Sequence, residues 1–205
     1  MLKKSLATLL SLAAGTAPAF AHLDPGEHGS FMAGFSHPMF GTDHILAMVA
    51  VGLWAALLAQ ATATDRKGGR ALWLIPAAFV GTMLAGFAAA MFDLPLPFVE
   101  PVILASVVVI GLLAAVALNV PTAAAMAMVG FFAFFHGHAH GGEIGEAGAW
   151  PYAIGFAAAT AILHAAGVAG GLLLGRALGG STGRVATRVA GAATALGGVW
   201  LVIGG

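Results

Sequence analysis

Eight histidines stand in a chain that has no cysteine. Disulfides and thiolate metal sites are therefore excluded, and any metal must be held by imidazole, carboxylate, backbone oxygen or thioether. His37, Asp43 and His44 fall within one apolar stretch. His37 and His44 are seven residues apart, two helical turns, and share a helix face. Asp43 points about 100° away, where it can meet a neighbouring helix or orient an imidazole from outside the ligand shell. A second group, His136, His140 and Glu143, follows i, i+4, i+7 spacing and forms one stripe if its helix persists to Glu143. His138 falls on the opposite side, and His164 stands alone in a later apolar stretch. Imidazole with carboxylate suits nickel, cobalt, zinc or iron, and disfavours copper(I) or an iron–sulfur cluster. For equal ligands nickel binds ahead of cobalt, although geometry decides selectivity. Near pH 7 most free imidazoles are neutral and able to bind an ion.

The elements that must position these groups are helices in a bilayer. Sixty per cent of the 205 residues are apolar and 8% are charged, against roughly a quarter charged in a soluble domain. Formal net charge is zero, which argues against nucleic acid as a partner. Lys3 and Lys4 precede an apolar run over residues 6–14, and Ala19-Phe20-Ala21 supplies small residues for cleavage. Residues 1–21 thus read as a signal peptide, the alternative being an uncleaved first helix for which the apolar run is short, and residues 22–205 as one transmembrane domain. Cleavage would leave His22 at the terminus. Its amine, with His22 and His28, can capture metal or form a solvated leader.

Six stretches meet the spanning length of about 20 apolar residues: 31–59, 71–92, 98–118, 121–141, 150–175 and 185–203. The expected fold is all-α, a polytopic bundle of six transmembrane helices. Arg66, Lys67 and Arg70 lie between spans one and two, and Arg176, Arg184 and Arg188 cluster at the junction of spans five and six. The connectors around residues 93–100 and 142–149 carry carboxylates and no Lys or Arg. The positive-inside rule places the basic connectors in the cytoplasm and both mature termini on the periplasmic side of an inner membrane. Gly167, Gly171 and Gly175 form a small-residue ridge that can pack within the chain or between chains of a homo-oligomer. Spans one and four cross in opposite directions, as an inverted three-plus-three repeat requires.

An ionisable residue inside a span costs a few kcal/mol unless it is paired or lines a cavity. Pro38 and Gly41 interrupt span one beside its polar residues, and broken helices expose backbone to ions in transporters. At about 1.5 Å of rise per residue, His37, His136 and His140 lie within roughly 10 Å of the outer helix ends, and His44 and His164 about 20 Å in. Two tiers of ligands are expected. The plainer alternative for each is a hydrogen bond between helices, evenly matched for His164. Met48 is one turn below His44 and reads as core packing. No Gly-x4-Gly-Lys-Ser/Thr loop is present. Transport would run down a gradient, couple to another ion or use a separate energising partner.

Residues 37–48, His-Pro-Met-Phe-Gly-Thr-Asp-His-Ile-Leu-Ala-Met, resemble the first-helix signature of the HupE/UreJ family of nickel and cobalt permeases. Residues 135–143 are similar to its second signature, Phe-His-Gly-x-Ala/Val-His-Gly-x-Glu, at every defined position. The likeness extends across the signal peptide and six spans. It implies that His37, Asp43, His44, His136, His140 and Glu143 handle the metal; the accessory positions His138, His164, His22 and His28 rest on the reading of the residues alone. It also implies transported Ni²⁺ or Co²⁺ rather than a prosthetic group, and supply of nickel to hydrogenase or urease. The expectation is a permease and not an enzyme. A sensor or docking subunit without flux is the second reading. An intramembrane metalloenzyme is the third, weakened by the absence of His-Glu-x-x-His and Gly-x-Ser-x-Gly.

Overall fold

A computed structural model describes residues 30–61, 68–144 and 148–204, apart from the side chain of Glu143. Everything regular in them is helix: α1 (Phe31–Phe40), α2 (Thr42–Ala61), α3 (Gly68–Met91), α4 (Val99–Ala115), α5 (Thr122–Glu143), α6 (Ala149–Leu178) and α7 (Gly180–Gly204). Five of these, α2, α3, α5, α6 and α7, are long and apolar enough to cross a bilayer. α4 is a shorter apolar helix of 17 residues. The chain is a multi-pass, all-helical membrane protein.

The first span is two helices rather than one. Ser30 caps α1 by accepting from the Ala33 N–H at 2.9 Å. Pro38 lies inside α1 and lacks the N–H that would bond the Gly34 carbonyl. The break itself falls at Gly41, whose ψ of 115° is extended. The Gly41 N–H still reaches the His37 carbonyl at 2.9 Å, and its own carbonyl accepts from Ile45 at 2.9 Å, so these two bonds bracket the bend. A Cβ at Gly41 would stand 2.9 Å from His44 Nδ1 and 3.1 Å from Asp43 Oδ1. Glycine here makes room for the Asp43–His44 pair.

Past the break, α2 is the central helix. Almost every side chain from Ala47 to Leu58 is buried, and it packs on α3, α4, α6 and α7. Around it, α1 and α2 lie along α6, α3 lies along α5, and α4 lies along α7. Exchanging spans one and four, two and five, three and six carries the first pairing onto the second and the third onto itself, as an inverted repeat demands. The centre breaks this relation, because α5 does not enclose itself among α6 and α7 as α2 does among α3 and α4.

The glycine ridge on α6 faces the same chain. A Cβ at Gly167 would collide with the Val49 carbonyl, one at Gly171 would meet Ala56 Cβ at 2.7 Å, and one at Gly175 would meet Gln60 Oε1 at 2.9 Å. All three partners are on α2. Backbone-to-backbone approach of this kind is how helices bind tightly in lipid.

The fifth and sixth spans are longer than expected, and their connector is a sharp turn at Gly179, with φ +71°. Arg176 therefore ends α6, while Arg184 and Arg188 begin α7 instead of lying in a loop. Arginine stems run along apolar surface and leave the charge at the helix ends. Arg188 Nε donates to the Ala115 carbonyl at 2.8 Å, capping the C-terminus of α4.

Candidate metal site

α1, α2 and α5 converge where the bend at Gly41 faces the last two turns of α5. One ring nitrogen each from His37, His44 and His140 lies within 4.8 Å of the others. His44 Nε2 and His140 Nε2 are 3.0 Å apart. The rings of His37 and His140 are 4.3 Å apart between centroids, and those of His37 and His44 are 5.0 Å apart. His44 and His140 are buried and His37 is half-buried.

Asp43 takes the second of its two expected options. Its Oδ1 lies 2.9 Å from His44 Nδ1, not against a neighbouring helix. A carboxylate there favours the proton on Nδ1 and turns Nε2, with its lone pair, toward His140. Phe156 of α6 touches all three rings, at centroid distances of 6.3 Å to His37, 5.9 Å to His44 and 4.8 Å to His140. It gives the cluster an apolar wall.

The expected tiers sort differently in the structure. His44 and His140 meet at one level, so His44 is not deeper than the cluster. His136, one turn before His140, takes the lower position. Its ring is 5.2 Å from that of His44, and its Nε2 lies 2.9 Å from Ser106 Oγ on α4. His164 lies apart from the trio, 4.9 Å from the Phe79 ring. Counting rise from helix ends assumed unbroken helices starting in one plane, and the bend at Gly41 removes that condition.

Other positions separate. α5 persists to Glu143, one turn beyond His140, and the Glu143 side chain lies outside the described residues, as do His22 and His28. His138 turns to the opposite side of α5, where its Nε2 meets the Leu94 carbonyl at 2.7 Å. That contact ties α5 to the α3–α4 connector. Met48 is fully buried in the apolar core. Ser106 and Phe156 were not singled out from the sequence. Ser106 carried a signal, as the lone hydroxyl in α4; Phe156 carried none among 13 phenylalanines.

Residues 9–201 match the sequence profile of the family described as HupE / UreJ protein. The chain belongs to the HupE/UreJ family. Protein HupE of Rhizobium leguminosarum bv. viciae is 43% identical over 196 residues, covering 95% of this chain and 96% of that protein. No solved structure matches. In this HupE/UreJ protein the two signatures that carried the resemblance are the two segments that meet, His37 and His44 from one and His140 from the other.

Proposed function

We propose that this HupE/UreJ protein is an inner-membrane permease that takes up a divalent transition-metal ion, nickel first and cobalt second. The observation that carries this reading is the convergence of His37, His44 and His140 from three helices into one cluster, backed by Asp43. Three imidazoles replace part of an ion's water shell. Two metal–nitrogen bonds of about 2.1 Å put their nitrogens about 3.0 Å apart at a right angle and about 3.4 Å apart at the tetrahedral angle. The 3.0 Å between His44 and His140 is the length of an N–H···N hydrogen bond, which a bound ion would replace, and it falls within the reach of one ion coordinated by both rings. Glu143, one turn beyond His140, is the entry carboxylate, and His136 receives the ion below. The ion is cargo, no reaction is catalysed, and the cargo supplies hydrogenase or urease maturation. Residues 1–21 are the cleaved export signal. Residues 22–205 form the permease domain, with both ends periplasmic and the His22 and His28 tail before the first helix.

Purified full-length protein in sealed proteoliposomes tests this. Nickel and cobalt should enter faster than zinc or copper, well above empty vesicles. Tight binding with no flux would instead make the protein a sensor or docking subunit.

Protons should compete with the ion. A protonated imidazole has no lone pair to give. Lowering the outer pH from about 7.5 to about 5.5 is therefore expected to slow uptake. An unchanged rate across that step would count against ligation by imidazole. Asp43→Asn should keep the fold and weaken nickel binding about 10- to 100-fold, the usual cost of losing a carboxylate behind a ligating histidine. Equilibrium dialysis of the detergent-solubilised variant checks it, and wild-type affinity would remove Asp43 from the site.

A further inference from the structure

A second polar group lies beneath the three-histidine cluster, between α3, α4, α5 and α6. His164 on α6 is 1% exposed, and neither of its ring nitrogens has a hydrogen-bond partner. Buried polar atoms without partners are rare, and each one calls for an explanation. One turn before it on α6, the buried Thr160 directs its hydroxyl at Met83 Sδ, 3.7 Å away on α3.

His136 completes the group. Ser106 has a single hydroxyl proton and gives it to the Ile103 carbonyl at 2.6 Å. The Ser106 oxygen can then only accept from His136 Nε2, 2.9 Å away. A neutral His136 with its proton on Nε2 carries a bare lone pair on Nδ1, and Nδ1 is buried without a partner. Ser106 thus holds one tautomer and leaves one nitrogen ready to bind. The Phe79 ring stands beside both imidazoles, at 5.8 Å from His136 and 4.9 Å from His164.

We propose that His136 and His164 form an inner relay for the same divalent ion, with His136 Nδ1 receiving it from the outer cluster and His164 receiving it next, past Phe79. Thr160 and Met83 supply the hydroxyl and thioether beside the second stop. The inference deepens the permease reading and rests on it. Conduction needs a site strong enough to load and further sites weak enough to release. Three imidazoles above and single imidazoles below provide that gradient.

The test uses the full chain in proteoliposomes, with nickel influx and, separately, nickel affinity in detergent. His164→Ala and His164→Gln should slow influx at least about tenfold while leaving affinity at the outer cluster within about twofold. His164→Cys should restore influx, with cadmium gaining on nickel because thiolate is the softer ligand. If the folded variants carry nickel at the wild-type rate, or if none of the three folds, His164 is a packing residue and the relay is overturned. A wild-type protein without influx removes the permease reading itself, which is a different result.

Discussion

Replacing His140 with alanine should lower nickel accumulation in cells at least about 100-fold, since losing even a residue that supports a ligand costs about 10- to 100-fold. His140 is the hub of the cluster: it lies 3.0 Å from His44, nitrogen to nitrogen, and its ring is 4.3 Å from that of His37. Its removal leaves two imidazoles on the two limbs of one bent span, and from α5 only His136 among the described side chains stays near, its ring 5.2 Å from that of His44 and its Nε2 against Ser106. The alanine is small, and α5 is anchored to α3 by glycine contacts that do not involve the ring. Membrane insertion should therefore be normal. Radioactive nickel uptake, normalised to protein in the membrane, checks the expectation. Accumulation equal to wild type would remove the three-histidine cluster from the transport path.

Gly137→Leu should prevent assembly. A Cβ at Gly137 would collide with the Met83 carbonyl oxygen and stand 2.8 Å from Phe87 N, both backbone atoms of α3. Neither can swing aside as a side chain can, so α3 and α5 must part along their shared length. Overpacking usually costs about 1–3 kcal/mol, and a backbone collision on a span that carries two site histidines should exceed about 3 kcal/mol. Gly81→Ala, on the same α3 but with nothing within 4 Å of its Cβ, should change stability by less than about 0.5 kcal/mol. Thermal stability of the two variants in detergent, read by size-exclusion recovery, separates them. Recovery of Gly137→Leu at the wild-type midpoint would contradict the packing of α3 on α5.

The helical architecture and both halves of the cluster were legible because membrane spans must be continuous apolar runs. A histidine, aspartate or glycine inside such a run stands out against its neighbours. The break in span one was visible as Pro38 and Gly41, although the structure places it at Gly41 alone. The level of each histidine was not legible, because it depends on how far one helix slides past another. Gly34 against Tyr152 and Gly52 against His164 set that slide through backbone contacts, and glycine content alone does not name a partner. The turn between α6 and α7 was misjudged for another reason. Three arginines suggested a loop, whereas long stems let their charges reach the surface from within helices. Phe79 and Phe156 were hidden by their ordinariness: a phenylalanine in a span is lipid-facing or core until the fold says which.

The short α4 has a consequence for the surrounding lipid. Seventeen residues rise about 25 Å, several ångströms less than a typical hydrocarbon thickness of about 30 Å. Glu100 is exposed in its first turn, and Arg188 is fastened to its last carbonyl, that of Ala115, so neither end can be drawn into the acyl chains cheaply. On that flank the two leaflets must pinch toward each other, at fractions of a kcal/mol per ångström. The mismatch is local to that flank, since the other spans run from 20 to 30 residues.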